Sequence, residues 1–210
     1  MYDTYLFDVD GTLLDTNELI LNSFEYVLKK YFPARTYDRK DLVQFTGPTL
    51  IQSFSALNPE HAEQMVIDYR KYNLEHHDEM VKIFPNVELT LEQLKQDGKQ
   101  LSVVSSKKND VVMRGLKLFN IDQYFDIVIG ADDVEKHKPE PEPLLKALQF
   151  YNEPNYAIMI GDNSHDIDGA KNAGIDSVGV AWSLRGRDFI AALQPTYVID
   201  DMKELLNLRK

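Results

Sequence analysis

The sequence contains no cysteine. That excludes disulfides, thiolate metal sites and cysteine nucleophiles, and leaves oxygen and imidazole as the donors for any metal. It also lacks an apolar run near the roughly 20 residues needed to cross a bilayer. The first strand begins at about Thr4, which leaves no room for a signal peptide. A cytoplasmic protein without membrane contact is therefore expected. Basic residues are scarce, 23 against 34 acidic, for a formal net charge of -11. This balance argues against a nucleic-acid partner gripped through its phosphates. An anionic small substrate would have to be held by local charge against the field of the whole chain. No low-complexity segment or repeat interrupts the chain. Its 210 residues and 43% hydrophobic content suit one sizeable core plus an insertion.

What is present gathers at strand ends. Tyr5-Leu6-Phe7-Asp8-Val9-Asp10-Gly11-Thr12 is an apolar run that closes on two carboxylates one residue apart, then glycine. Burying two like charges costs several kcal/mol per ion, roughly, and a divalent cation with oxygen ligands compensates. An Asx-rich turn after an edge strand is the competing reading. Later, Leu101-Ser102-Val103-Val104 ends in Ser105-Ser106-Lys107. Lys138 then precedes a stretch with Pro139, Pro141 and Pro143, and Ala157-Ile158-Met159-Ile160-Gly161 ends in Asp162, with Asp166 four residues on.

Between the first strand and these motifs the pattern is helical. Leu19, Ile20, Ser23, Phe24, Val27, Leu28 and Tyr31 recur at helical spacing, with Asn17 as N-cap. A second helix is expected over Asp38 to Phe45, a third after the turn Thr46-Gly47-Pro48-Thr49, and a long one from Pro59 to about Glu79. From Val87 helices and strands alternate, including a strand over Phe125 to Gly130, so a parallel sheet covered on both faces is expected. The expected fold is α/β, a doubly wound parallel sheet of Rossmann type with an inserted small all-helical domain. The α/β part spans 1–15 and 82–210, and the helical part 16–81. In such sheets ligands bind beyond the carboxyl ends of the strands, where Asp8, Ser105 and Asp162 fall.

The four motifs, in this order, resemble those of the haloacid dehalogenase-like superfamily of phosphohydrolases: DxDxT, a strand-end Ser or Thr, a Lys, and GDxxxD. The resemblance covers the whole chain. It implies that Asp8 is a nucleophile forming an aspartyl-phosphate, and that Asp10 is first general acid and then general base. It implies that Thr12, Ser105, Ser106 and Lys138 bind phosphate. Asp8, the backbone carbonyl of Asp10, Asp162 and Asp166 would then hold magnesium, directly or through water. Alternatives remain at several positions. Ser105 could cap the following helix, Asp166 could N-cap its own, and Lys136 and His137 compete with Lys138. Lys107 and Lys108 are read as a solvated pair ahead of the helix and outside the site, with added positive potential at the crevice as the alternative for Lys107.

Within the superfamily the chain resembles the phosphoglycolate-phosphatase-like branch, whose helical insertion is a cap. The strings around Asp15 to Leu19, Phe45 to Pro48, Tyr69 to Asp78, Gly161 to Asp166 and Gly179 to Trp182 resemble the inorganic pyrophosphatases of that branch. The resemblance implies pyrophosphate as first substrate and 2-phosphoglycolate or another small phosphomonoester as second. Gly47, Arg70, His76 and His77 would be cap contacts to substrate, although an exposed helix end explains the histidines equally well. Arg185 and Arg187 are either a basic crevice edge or solvated. A dehalogenase is disfavoured because its chemistry does not need Asp10. A sugar-phosphate mutase is disfavoured by Asn17-Glu18, where those enzymes resemble one another in carrying a His. A non-catalytic phosphate- or phosphoprotein-binding regulatory module would not need the Asp10 acid.

Overall fold

The computed structural model describes residues 2–46, 48–151 and 156–210. The chain divides into two compact units, Met1–Asp15 with Ile83–Lys210, and Thr16–Lys82. Among the described residues the elements run β1 (Thr4–Phe7), β2 (Leu14–Asp15), α1 (Asn17–Tyr31), α2 (Arg39–Val43), α3 (Leu50–Leu57), α4 (Ala62–Met80), β3 (Lys82–Ile83), α5 (Val87–Gln96) and β4 (Gln100–Val104). They continue with α6 (Asn109–Leu118), β5 (Ile127–Ile129), α7 (Glu142–Phe150), β6 (Ala157–Gly161), α8 (Ser164–Ala173), β7 (Asp176–Val180), α9 (Arg187–Ala192) and β8 (Tyr197–Ile199), closing with a 3-10 turn over Met202–Asn207.

The larger unit is built on a six-stranded sheet in the order β5-β4-β1-β6-β7-β8, with every pair of neighbouring strands parallel. The first strand lies in the middle and is buried throughout: Thr4, Tyr5, Leu6 and Phe7 are all shielded from solvent. Phe7 stands level with Val103 of β4 and Ile160 of β6. The chain winds outward first through β4 and β5, then through β6, β7 and β8, so the order reverses at β1. That switch point is where a crevice opens in such sheets. Leu6, Val104 and Met159 from the sheet pack with Leu144, Ala147 and Ala170 of α7 and α8, all buried.

The smaller unit is held by aromatic packing. Phe24 of α1 lies 4.9 Å from the Tyr69 ring of α4, and 5.5 Å from those of Phe45 and Phe54. Buried Asn73 of α4 donates to Ser23 Oγ at 3.1 Å, and Ser23 in turn donates to the Leu19 carbonyl at 2.6 Å. Those polar groups are thereby satisfied inside an apolar interface.

Element boundaries differ from expectation at several points, among them α2, which is Arg39–Val43 with Asp38 as its N-cap. α4 begins at Ala62, not Pro59, because the Asn58 carbonyl and side chain both accept the His61 N–H and turn the chain there. β5 is only Ile127–Ile129. Phe125 closes a 3-10 turn over Asp122–Tyr124, and at the far end the Gly130 N–H goes to Asp133 Oδ2 at 2.8 Å. Thr16, not Asn17, occupies the N-cap of α1.

Candidate active site

The turn after β1 curls back on itself. The Val9 carbonyl accepts the N–H groups of Thr12 at 3.3 Å and of Leu13 and Leu14 at 2.9 Å, while Gly11 donates to the Leu14 carbonyl at 2.8 Å. Gly11 has φ +77°, and a methyl group there would overlap the Asp162 carboxylate. Glycine is thus required for two reasons, the backbone conformation and the close approach of β6's loop. The turn leaves Asp8 buried and Asp10 half-buried. Thr12 is fully buried, and its hydroxyl has no partner among the described residues.

β6 delivers the second acidic pair. Asn163 is the N-cap of α8, its side chain accepting the Ser164 N–H at 2.8 Å, and Asp166 at the third helical position returns a bond to the Asn163 N–H at 3.1 Å. This is a capping box. Asp166 therefore completes the cap rather than being it, and its other oxygen stays available. Gly161 is needed because a methyl group there would run into Asp166.

That other oxygen meets Lys138. The Lys138 ammonium is buried and donates to Asp166 Oδ1 at 2.6 Å, Asp8 Oδ1 at 2.8 Å and the Val104 carbonyl at 2.8 Å. An ammonium has three N–H groups, and all three are spent on protein acceptors. Lys136 is exposed and donates its backbone N–H to Glu142. Ser105 is buried at the end of β4, where its hydroxyl accepts the Lys107 N–H at 3.2 Å; Ser106 beside it is half-buried.

Lys107 was read from sequence as solvated, yet its ammonium lies 2.7 Å from Asp10 Oδ1, with the two side chains 22% and 18% exposed. The sequence carries one faint signal for this. Lys107 follows the strand-end Ser105 by two residues; that β4 lies beside β1 is seen only in the fold. Two further contacts come from the loop after β7. Ser183 Oγ donates to the Asp162 carbonyl at 2.7 Å, and Trp182 Nε1 donates to the Thr12 carbonyl at 3.3 Å. Arg185 lies over the Phe189 ring at 4.9 Å, and exposed Arg187 pairs with Asp200.

The site is short of positive charge. Among the described residues, the Lys138 ammonium pairs with Asp8 and Asp166 and that of Lys107 with Asp10, while Asp162 adds a fourth carboxyl to the group. Burial pushes the Asp8 carboxyl up to about 7; Lys138 pulls it down, while Asp166 and Asp10 add to the rise. Asp162 is held well above the usual carboxylate range, first by burial and then by Asp166, Asp8 and Asp10. For Lys138, burial opposes the charge, but Asp166 and Asp8 outweigh it and raise the pKa. Two uncompensated negative charges in such a place are what a divalent cation neutralises. Oxygen atoms of Asp8, Asp162 and Asp166 lie within 4.8 Å of one another. An all-oxygen, partly pre-paired donor set of this kind fits a hard cation.

In the smaller unit, considered by itself, Arg70 is exposed on α4. His76 is half-buried, its ring stacked on Tyr72 at 4.2 Å and its Nδ1 2.9 Å from the Tyr72 carbonyl oxygen. His77 is buried, with Nδ1 2.8 Å from Asp78 Oδ1. Adjacent helical residues point to different sides, and these two do. Gly47 lies outside the described residues.

Comparison with known proteins follows the same lines. The sequence profile of the haloacid dehalogenase-like hydrolases matches residues 5–180. Pyrophosphatase PpaX of Bacillus mycoides is 45% identical over 205 residues, 97% of this chain and 95% of that protein. Pyrophosphatase PpaX of Halalkalibacterium halodurans is 44% identical over 207 residues, 98% of this chain and 96% of that one. A solved haloacid dehalogenase-like family hydrolase from Streptococcus pneumoniae superimposes with a TM-score of 0.85 at 28% identity, covering 98% of this chain and 97% of its own. The chain belongs to the haloacid dehalogenase-like hydrolases.

Proposed function

We propose that this haloacid dehalogenase-like hydrolase is a magnesium-dependent pyrophosphatase that works through a phosphorylated Asp8. The observation that carries the reading is the placement of Asp8: buried at the end of the central strand, bonded to Lys138, and two residues before Asp10 on a tight turn. The names of the relatives at 44–45% identity favour pyrophosphate among phosphoryl substrates.

Asp8, the Asp10 carbonyl, Asp162 and Asp166 would hold the ion. Once bound, it supplies the positive charge that lets a carboxylate and a phosphoryl anion approach each other. An Asp8 oxygen attacks one phosphorus as the bridging P–O bond breaks, and Asp10 in its acid form gives its proton to the departing phosphate. The resulting Asp10 carboxylate then takes a proton from water as that water attacks the phosphorus of the acyl phosphate, and Asp8 leaves as a carboxylate. One pyrophosphate and one water become two phosphates, and the enzyme is restored. Ser105, Ser106 and Thr12 donate to the transferring group, the buried Thr12 hydroxyl having no protein partner to give up. Lys138 orients Asp8, and it reaches a phosphoryl oxygen by exchanging one of its three acceptors. Arg70, His76 and His77 make a secondary contribution to substrate recognition. Among the described residues no helix is long and apolar enough to cross a membrane, and the reading includes a cytoplasmic location.

The test is a turnover screen with magnesium at one enzyme concentration, using pyrophosphate, 2-phosphoglycolate, β-glucose-1-phosphate and p-nitrophenyl phosphate. Pyrophosphate is expected to show the highest kcat/KM by about tenfold or more, a gap of about 1.4 kcal/mol. Asp8→Asn is expected to abolish turnover and the acid-stable phosphoenzyme. Preference for 2-phosphoglycolate would overturn the substrate, and turnover by Asp8→Asn would overturn the covalent route.

A further inference from the structure

We infer that Lys107 recognises negative charge already carried by the leaving portion of the bound substrate, and so selects phosphoryl substrates that have such a charge before the bond breaks. The inference rests on the reading of Asp10 as the acid. An acid that protonates the leaving oxygen must face it, so a cation 2.7 Å from that carboxylate stands on the leaving-group side of the scissile bond.

Donor capacity separates Lys107 from Lys138. Asp10 takes one of the three Lys107 N–H groups, and no acceptor takes the other two among the described residues. At 22% exposure the ammonium is sheltered enough to be worth more than a surface charge, and open enough to meet a ligand.

The backbone that presents Lys107 is anchored on both sides. Its N–H donates to Ser105 Oγ at 3.2 Å, and its carbonyl accepts the Ala131 N–H at 2.7 Å. Asn109, two residues on, donates its N–H to Asp132 Oδ1 at 2.9 Å and its side-chain amide to Asp133. The packing admits no bulk: a methyl group on Gly130 would come within 2.7 Å of the Asn109 nitrogen and 3.0 Å of the Lys107 carbonyl oxygen. A lysine at the end of a wandering loop could not discriminate between leaving groups. One on a loop pinned this way loses little orientational freedom when it binds, which is the condition for specificity.

The substrates that fit are phosphoanhydrides, and esters with a carboxylate close to the ester oxygen. For an aryl ester, whose leaving portion carries no charge in the bound substrate, Lys107 has no partner. Because p-nitrophenolate and phosphate leave with comparable basicity, a role exerted only through Asp10 would affect both substrates alike, and only direct recognition separates them.

The experiment compares wild type, Lys107→Gln and Lys107→Arg on pyrophosphate, 2-phosphoglycolate and p-nitrophenyl phosphate, with binding of imidodiphosphate and orthophosphate measured by calorimetry. A charge-assisted hydrogen bond contributes about 1.5–3 kcal/mol, so Lys107→Gln is expected to lose about ten- to a hundred-fold more kcat/KM on pyrophosphate than on p-nitrophenyl phosphate. It is expected to weaken imidodiphosphate about tenfold more than orthophosphate, and Lys107→Arg to recover most of both losses. Equal losses on pyrophosphate and p-nitrophenyl phosphate, or imidodiphosphate binding that weakens no more than orthophosphate, would overturn the inference. Should the wild type prefer 2-phosphoglycolate, the pyrophosphatase reading fails by itself. Lys107 is then judged on the ratio of 2-phosphoglycolate to p-nitrophenyl phosphate.

Discussion

The two lysines of the site hold different carboxylates, Lys138 those of Asp8 and Asp166 and Lys107 that of Asp10, and do different work. Lys138 is buried, and every one of its donors is taken by the protein. Lys107 sits nearer the surface and has spent one. The same ammonium is a structural tie in one place and an open binding group in the other, and burial with donor saturation decides which. A cation that locks two carboxylates together keeps a crowded site folded; a cation with spare donors can read a ligand.

The largest predicted effect breaks that comparison at its buried end. Lys138→Met leaves Asp8 and Asp166 in a low-dielectric interior without their partner. Removing one member of a buried ionic cluster costs about 3–5 kcal/mol. Lys107→Met removes a partly exposed pair, for which about 1 kcal/mol or less is expected. Denaturant unfolding of both metal-free variants near neutral pH measures the difference. Similar losses in the two would show that donor saturation does not separate them.

A second prediction sharpens the comparison through pH. The Asp8 carboxyl is pushed up to about 7 by burial, and Asp162 is raised for the same first reason. In the unfolded chain both titrate near the ordinary value of about 4. Between these limits the folded protein holds protons that the unfolded chain has released, so stability must fall as pH rises. The metal-free protein is expected to lose thermal stability steadily from about pH 4 to about pH 7. Magnesium is expected to offset this, by about 2.7 kcal/mol at a hundred times its Kd and most strongly at the upper end, where its carboxylate ligands are ionised. Melting curves in chelator and in magnesium across that range provide the check; a metal-free profile that stays flat or rises counts against the crowded-charge account. Lys107→Gln should leave the slope nearly unchanged, because Lys138 is the cation that acts on both raised groups.

The contrast between the lysines also marks where sequence reasoning stops. Asp8, Asp10, Asp162 and Lys138 were legible because each stands at a strand end or before proline, and the carboxyl ends of parallel strands lie along one edge of the sheet. The parallel sheet and the helical insertion were legible from period alone. Lys107 was not. Its meeting with Asp10 depends on β4 lying beside β1, and hydrophobic period says nothing about which strands are neighbours. Ser183 and Trp182 were missed for the same reason, since their partners Asp162 and Thr12 come from loops 21 and 170 residues away in sequence. Asp166 was legible as a residue but not as a geometry: one carboxylate closes the capping box and bonds Lys138, where cap and site ligand had been alternatives. The boundary errors are local. A turn held by Asn58 displaced the start expected at Pro59, and 3-10 turns shortened the strand expected over Phe125 to Gly130.

The smallest predicted effect asks whether leaving-group selectivity resides in the larger unit or is shared with the helical one. Arg70 is exposed, and an exposed charge contributes about 0.2–1 kcal/mol, so Arg70→Ala is expected to lower the ratio of pyrophosphate to p-nitrophenyl phosphate kcat/KM by about 1.4- to fivefold. His76 is already engaged on its own helix, stacked on Tyr72 and bonded to the Tyr72 carbonyl, so His76→Ala should shift the ratio no further than that. His77→Ala is a poorer probe, because the ring is buried and its removal leaves a cavity. Both ratios, measured beside Lys107→Gln, rank the contributions directly. If Arg70→Ala or His76→Ala costs more selectivity than Lys107→Gln, charge recognition belongs chiefly to the helical unit, and the spare donors of Lys107 serve only to balance Asp10.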